Sequence, residues 1–289
     1  MKPHAVLVTD GEQRAALAIV RSLGRAGCTV HVCSVRHRSL AGASRYAASE
    51  TTVPDPLIEP EMYLDALRSI IREHDIDILL PVTEPSLLAV LGREEDLGGV
   101  ILPFPDRDDF ERACDKELVA RLAERVGIRV PRQVVVNAAG GAPPPAGLQF
   151  PLVLKPSRSV VGNGGARRKT AVVHAADDAA LRSRLESMPP EAYPVLVQER
   201  ITGDGIGAFL LLWDGDVLAT FCHRRLREKP PSGGVSVYRE SVAPDASLLD
   251  ASAALLKSLN WRGVAMVEYK VDDATGTPCL MEINGRFWG

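Results

Sequence analysis

Glu282 and Asn284 stand two residues apart in the run Met281-Glu282-Ile283-Asn284, and Gly285-Arg286-Phe287-Trp288-Gly289 follows at once. Side chains two apart on a strand project from the same face. A carboxylate and an amide therefore aim together while Met281 and Ile283 turn toward a core. Two hard oxygen donors at one spot suit Mg2+, which favours carboxylate, water and phosphate oxygens. The plainer reading is a solvated polar face on an amphipathic strand. Residues 264–271 read as a second strand carrying Glu268, and residues 272–277 as the turn between the two. A hairpin closing symmetrically about that turn is expected to set Glu268 opposite Glu282, with Ala265, Val267, Tyr269, Met281 and Ile283 on a core face. Opposed like charges destabilise a strand pair, within the ~0.2–1 kcal/mol range of cross-strand pairs. A divalent cation would turn that repulsion into attraction. Lys270, on the same face, could neutralise the pair instead, and a one-residue slip would separate it.

Three upstream stretches carry groups suited to a phosphorylated ligand. Residues 150–156 drive Lys155 to the end of an apolar strand, and residues 157–168 follow with Ser157, Arg158, Ser159, Gly162, Gly164, Gly165, Arg167 and Arg168. Glycines let backbone N–H groups turn toward an anion, so this loop reads as a phosphate cover or as a simple connector. It lacks the Gly-x-x-x-x-Gly-Lys-Ser/Thr pattern. Val195-Leu196-Val197-Gln198-Glu199-Arg200-Ile201 is an apolar strand ending in polar groups, followed by Thr202-Gly203-Asp204. Such an end could line a flat base and meet ribose hydroxyls, or be no more than a strand and its turn. His223, Arg224, Arg225, Arg227 and Lys229 precede Gly233-Gly234. That basic run is a solvated loop or a pocket for phosphate and carboxylate groups, which arginine matches bidentately.

Elements must position these groups. The chain has 289 residues, 46% hydrophobic and 25% charged, as expected for about two globular domains. A net charge of −3 gives no electrostatic case for nucleic acid or an anionic membrane. No apolar run approaches the roughly 18 residues that span a bilayer, and no signal-peptide pattern opens the chain. Five cysteines with no Cys-x-x-Cys point to a reducing cytoplasm. The first third alternates strands (5–8, 29–33, 76–80, 100–102) with helices (14–26, 62–74, 87–91), which predicts a parallel doubly wound sheet. Its first turn, Thr9-Asp10-Gly11-Glu12, lacks Gly-x-Gly-x-x-Gly and puts acids where a pyrophosphate would go, so it reads as Rossmann-like without that cofactor. Glu84 follows a parallel strand, where it could meet an acceptor. A helix is expected over 108–126 and an exposed connection over 138–147. Strands are expected at 134–136, 152–155, 171–174, 195–198, 208–213 and 217–222, and a helix at 248–259.

In order, Asp115-Lys116-Glu117-Leu118-Val119, Val153-Leu154-Lys155-Pro156, Val197-Gln198-Glu199-Arg200-Ile201, Glu268 in its strand and Glu282-Ile283-Asn284-Gly285-Arg286-Phe287-Trp288-Gly289 resemble the ATP-grasp superfamily. The likeness is to its carboxylate–amine ligases and its carbamoyl-phosphate synthetase and biotin carboxylase branch, and it covers nearly the whole chain. It implies a Rossmann-like pre-ATP-grasp domain over 1–106, α/β in class. A two-subdomain α+β ATP-grasp fold would follow over 107–289, divided as 107–192 and 193–289, the latter incomplete at its C-terminus. It further implies that Lys116 and Lys155 contact phosphates, that Gln198, Glu199 and Ile201 line adenine, and that Asp204 meets the ribose. Glu268, Glu282 and Asn284 would bind Mg2+, or Mn2+ in its place, and Arg286 with Arg225 or Arg227 would stabilise the transferring phosphoryl group or acyl phosphate.

The activity so implied is an ATP- and Mg-dependent ligase that activates a small-molecule carboxylate as an acyl phosphate for attack by an amine. It needs neither nucleic acid nor membrane, and a homodimer is compatible with it. The competing expectations are a non-catalytic ATP-binding or regulatory module, or an inactive fragment of such a ligase, and a nicotinamide-dependent oxidoreductase. The chain departs from the family at Gly285, where related proteins often have proline, and at Gly289, where they normally continue.

Overall fold

A computed structural model describes residues 3–139, 147–162, 167–229 and 234–288. The chain divides into two compact units. One comprises Met1–Arg107, Gly162–Arg168 and Arg286–Gly289; the other comprises Asp108–Val161 and Lys169–Gly285.

The first unit is built on a four-stranded sheet of β1 (Ala5–Val8), β2 (Thr29–Ser34), β3 (Ala47–Thr52) and β4 (Ile78–Leu80), in the order β3-β2-β1-β4 and parallel throughout. Every side chain of β1 is buried, because alternate residues feed two cores. Ala5 and Leu7 pack with Tyr63, Leu64 and Leu67 of α2 (Pro60–Glu73). Val6 and Val8 pack with Ala16 and Val20 of α1 (Arg14–Arg25). That two-sided burial is the reason such strands read as unbroken apolar runs. α3 (Glu84–Val90) follows β4. The strand expected at 100–102 is reduced to one parallel bridge between Ile78 and Ile101. β3 was not foreseen, since Ala-Ala-Ser-Glu-Thr-Thr carries no apolar pattern and pairs on one side only.

Asp10, at φ 55°, turns its carboxylate back into the unit. Its Oδ2 accepts the N–H groups of Val82 and Thr83, both at 3.1 Å, and its Oδ1 accepts the hydroxyls of Thr83 at 2.9 Å and Ser86 at 2.7 Å. Gly11 is required by crowding, because a Cβ there would strike Ser39 and Val32. The first turn is thus tied internally by a carboxylate, a poor seat for a pyrophosphate.

The second unit begins with α4 (Arg107–Cys114, its first residue in the other unit) and α5 (Lys116–Arg125). The single helix expected over 108–126 is broken at Asp115. That residue's carboxylate caps the new helix by accepting the N–H groups of Glu117 at 3.0 Å and Leu118 at 3.1 Å. β5 (Gln133–Val136), β6 (Leu152–Pro156), β9 (Val173–Ala175) and β10 (Val195–Glu199) form a sheet in the order β5-β10-β6-β9, with antiparallel neighbours. β7 (Val160–Val161) and β8 (Arg168–Lys169) make a short ribbon. Helix α6 (Asp178–Ser187), absent from the sequence reading, covers this sheet through Leu181 and Leu185. Because β10 lies beyond residue 192, the sheet of the expected first subdomain extends past the boundary drawn there.

A second sheet has the order β13-β12-β11-β14-β15, from β11 (Gly203–Trp213), β12 (Asp216–Lys229), β13 (Val235–Val242), β14 (Gly263–Asp272) and β15 (Pro278–Asn284). Helix α7 (Ala246–Lys257) packs behind it, where the Ser252 hydroxyl and the Tyr269 phenol lie 2.8 Å apart. β11 and β12 run well past their expected limits of 208–213 and 217–222, and β13 was unforeseen. Residues 140–146, 163–166 and 230–233 lie outside the described residues, taking with them most of the expected 138–147 connection and the glycine centre of the expected phosphate cover. Among the described residues no helix is long and apolar enough to cross a membrane. Asp115→Ala removes a cap holding two N–H groups and is expected to lower stability by about 1 kcal/mol in urea unfolding, with the m-value unchanged.

Candidate active site

From its turn outward the β14–β15 ladder pairs Val271 with Pro278, Lys270 with Cys279 and Tyr269 with Leu280. A regular continuation would set Glu268 against Met281. Instead the register shifts, and Glu268 pairs with Glu282, Val267 with Ile283 and Met266 with Asn284. Met281 is the extra residue of a β-bulge, a device that re-aims side chains beside sites. The two carboxylates therefore face each other as the sequence suggested, but through a bulge and not through symmetric closure. Ala265, Val267 and Tyr269 are buried as expected, whereas Met281 and Ile283 are only partly so. Asp272 anchors the turn. Its Oδ1 accepts the Ala274 N–H at 3.0 Å, its Oδ2 accepts Arg129 Nη1 at 2.6 Å, and its carbonyl accepts the Gly276 N–H at 2.7 Å. These bonds hold the Asp272 carboxyl below its ordinary range, the Ala274 N–H most and the Arg129 guanidinium next.

Cross-strand pairing extends the row through the sheet as Ser241, His223, Gly207, Glu268 and Glu282. The row beside it runs Arg239, Arg225, Gly205, Lys270 and Cys279. Two glycines thus stand on β11 between the basic groups of β12 and the acids of β14. A Cβ on Gly205 would lie 2.8 Å from Arg225 Cδ, and one on Gly207 would lie 2.8 Å from His223 Nε2. Through that gap Arg225 Nη2 donates to Glu268 Oε2, while its Nη1 lies 3.4 Å from Glu228 Oε1. Both ends of the Arg225–Glu268 pair are nearly buried, with side chains 11% and 12% exposed. Breaking a buried pair costs about 3–5 kcal/mol, against about 0–1 kcal/mol for an exposed one such as Arg224–Asp204.

Burial raises the pKa of Glu268 and the charge of Glu282 raises it further, while Arg225 and Lys155 oppose the shift. Burial lowers the pKa of Lys155, countered by Glu282 and Glu268, so this lysine shares the electrostatic field of the acid pair. Asn284 is buried, and its Nδ2 donates to Glu282 Oε1 at 3.0 Å. Lys116 opens α5, and its Nζ donates to Ser159 Oγ at 2.9 Å. Among the described residues no group of three or more His, Cys, Asp and Glu forms a metal cluster. Two carboxylates and an amide are nonetheless a fitting partial set for Mg2+, which completes its shell with phosphate oxygens and water.

Other residues singled out in the sequence lie differently. Gln198 is buried in β10, and its Nε2 donates to Gln133 Oε1. Glu199 Oε1 accepts from Arg132 at 3.1 and 2.6 Å and from the Gln149 N–H at 3.2 Å. Ile201 sits half-buried in the link to β11. Asp204 alternates with Gly205 on β11, so it lies on the face opposite Glu268 and pairs with Arg224 at 3.6 Å. Arg227 is exposed beyond an irregularity in the β12–β13 ladder. Arg286 belongs to the first unit, and its Nη1 donates to the Phe287 carbonyl at 3.1 Å.

Two residues escaped the sequence reading. His223 was seen only as part of a basic run, and the signal that could have marked it is the Gly-x-Gly of β11 facing His-x-Arg of β12. Trp261, 3% exposed, packs against Gly285 so closely that any Cβ at 285 would enter its indole ring. Gly285 is therefore a point of close contact, and the tryptophan fills the space a proline would need.

A Rossmann-like unit followed in sequence by a unit of two antiparallel sheets is the ATP-grasp fold. Solved structures bear this out. L-Amino acid ligase from Bacillus licheniformis matches 100% of this chain and 68% of its own at TM-score 0.73 and 17% identity. Biotin carboxylase from Campylobacter jejuni, as a β-γ-ATP complex, matches 98% and 65% at TM-score 0.74 and 17% identity. In sequence the chain is similar to the carbamoyl phosphate synthase large chain of Thermotoga sp. (strain RQ2), 24% identical over 269 residues, covering 82% of this chain and 23% of the relative. It is also similar to that of Rubrobacter xylanophilus (strain DSM 9941 / JCM 11954 / NBRC 16129 / PRD-1), 28% identical over 165 residues, 53% of this chain and 15% of the relative. The chain thus spans less than a quarter of the length of these synthases. No protein-family model matches it.

Gly285→Ala is expected to cost about 1–3 kcal/mol through overpacking. Combined with Trp261→Leu it should cost less than the two single changes together, a coupling read from a double-mutant cycle of urea midpoints. Asp272 gives a pH-dependent case. Its depressed folded pKa contributes stability in full above the unfolded value of about 3.9 and loses it as pH falls through the folded value. The stability gap between wild type and Asp272→Asn should accordingly be widest above pH ~4 and close below it.

Proposed function

We propose that this protein is an ATP- and Mg-dependent ligase that phosphorylates a small-molecule carboxylate and passes the acyl group to an amine. The observation that carries the reading is the bulge-set pair Glu268 and Glu282, with Asn284 beside them and Lys155 in their field. Structural neighbours support it, since they include ligases captured with nucleotide, such as D-alanine–D-alanine ligase from Bacillus anthracis complexed with ATP. On this reading residues 1–106 are the pre-ATP-grasp domain and residues 107–289 the ATP-grasp domain. The five cysteines, all free, accord with a cytoplasmic setting.

Each side chain then has a task. Glu268, Glu282 and Asn284 would hold Mg2+, which when bound supplies charge neutralisation to the phosphates. Lys116 and Lys155 bind phosphate oxygens as point charges. Arg225 neutralises Glu268, and its guanidinium offers a planar fork suited to an anionic oxygen. By the resemblance alone, Arg286 would be a guanidinium for the charge that accumulates in phosphoryl transfer. Gln198 and Glu199 serve the adenine end through the rim of β10, with Glu199 held in place by Arg132. Asp204, the ribose residue of the resemblance, lies on the other sheet face beside Arg224.

Release of ADP and phosphate from Mg-ATP, assayed against panels of carboxylates and amines, tests the proposal. Glu282→Gln should reduce turnover at least 100-fold while keeping the fold, and turnover retained in that variant sinks the metal assignment. Tight ATP binding by the wild type with no product across broad panels would instead make the chain a nucleotide-binding module.

A further inference from the structure

His223 lies in the row of the acid pair, yet none of the steps above employs it. It is 3% exposed, and among the described residues its Nε2 has no hydrogen-bond partner. The nitrogen overhangs Gly207, whose missing side chain opens the space between His223 on one neighbouring strand and Glu268 on the other. Phe209 meets the imidazole edge-on, with centroids 4.7 Å apart and planes at 71°, and so fixes the ring. Burial first, then the charges of Arg225 and Arg239, push its pKa down to about 4, so the ring is neutral near pH 7. A buried polar nitrogen without a partner lowers stability, and in a native structure it calls for a ligand or an ordered water to complete it.

We propose that His223 is an additional substrate-binding residue, its Nε2–H donating to an anionic oxygen of either the transferring phosphoryl group or the acceptor carboxylate. Resting on the ligase reading, the assignment favours oxygen over metal on two grounds. Mg2+ selects oxygen ligands over imidazole. Arg225 and Arg239 also act on the ring as positive charges, which disfavours a cation at it. A neutral imidazole adds a directional bond there without a further charge.

The test compares wild type, His223→Phe and His223→Gln as full chains. Calorimetric titrations use Mg2+ with a β,γ-imido ATP analogue, Mg2+ with ADP, and acetate, L-alanine and L-glutamate in the presence of Mg-ADP. Melting of the ligand-free proteins is the second readout. His223→Phe removes the orphan nitrogen and should melt at or above the wild-type temperature while binding is lost. A loss of about 10-fold, one hydrogen bond's worth, is expected. If it falls on the ATP analogue with ADP unaffected, the phosphoryl oxygen is the acceptor; if it falls on a carboxylate probe with the analogue unaffected, the carboxylate is. His223→Gln, which keeps an N–H donor, should recover most of the loss. Should His223→Phe fail to fold, His223→Leu takes its place. Wild-type affinities for analogue and carboxylates in the apolar variant overturn the inference alone. A wild type that binds no nucleotide overturns the ligase reading and this inference with it.

Discussion

Two carboxylates held face to face in a nearly buried sheet cannot both remain charged unless cationic groups reach them. Glu268 and Glu282 impose that constraint, and much of the second unit is arranged around it. Arg225 starts one strand too far away to pair with Glu268 unless the intervening strand is bare, and β11 is bare there because it carries Gly205 and Gly207. Lys155 adds positive potential from the other sheet of the same unit. Arg129, clamped on Asp272, and the bulge at Met281 together hold the acids in register. The Arg225 guanidinium on Glu268 also explains how so much buried charge is tolerated: breaking the pair would expose each partner to a desolvation cost larger than any surface ion pair returns.

The first unit answers its own buried charge differently. Asp10 sits in a strained left-handed backbone conformation, and N–H and hydroxyl donors from the β4–α3 connection and from Ser86 in the first turn of α3 satisfy both of its oxygens. The turn after β1, which in a dinucleotide-binding sheet would open toward a pyrophosphate, is here an internal staple between two strand ends. The same parallel topology is therefore retained with a different use of its first loop.

Gly285 is another case in which packing assigns the meaning of a residue. In the sequence it stands only as a glycine where related proteins often have proline. In the fold its contact is tight, because Trp261 fills the volume that a proline ring or any Cβ would occupy. The Trp261 indole takes up the volume beside Gly285, as a close-packed interior requires.

The fold and the groups of the candidate site were legible in the sequence because the informative signals are local. Strand alternation put Glu282 and Asn284 on one face, apolar runs marked β1, β6 and β10, and ordered short motifs disclosed the fold. Signals that depend on non-local pairing were not legible. The bulge is invisible in Leu280-Met281-Glu282, since only the partner strand shows that two residues oppose one. Asp115 looked like a residue within a helix because its capping role depends on where the backbone turns. Polar β3 and exposed β13 lacked apolar periodicity, as one-sided edge strands often do. His223 looked like one more basic residue until β11 brought Gly207 against it. The sequence by itself determined which groups are present and which neighbours along the chain share a face, because side-chain alternation is set by the backbone. Only the tertiary structure decided which charges meet, because register, burial and a missing Cβ two strands away are properties of the folded sheet.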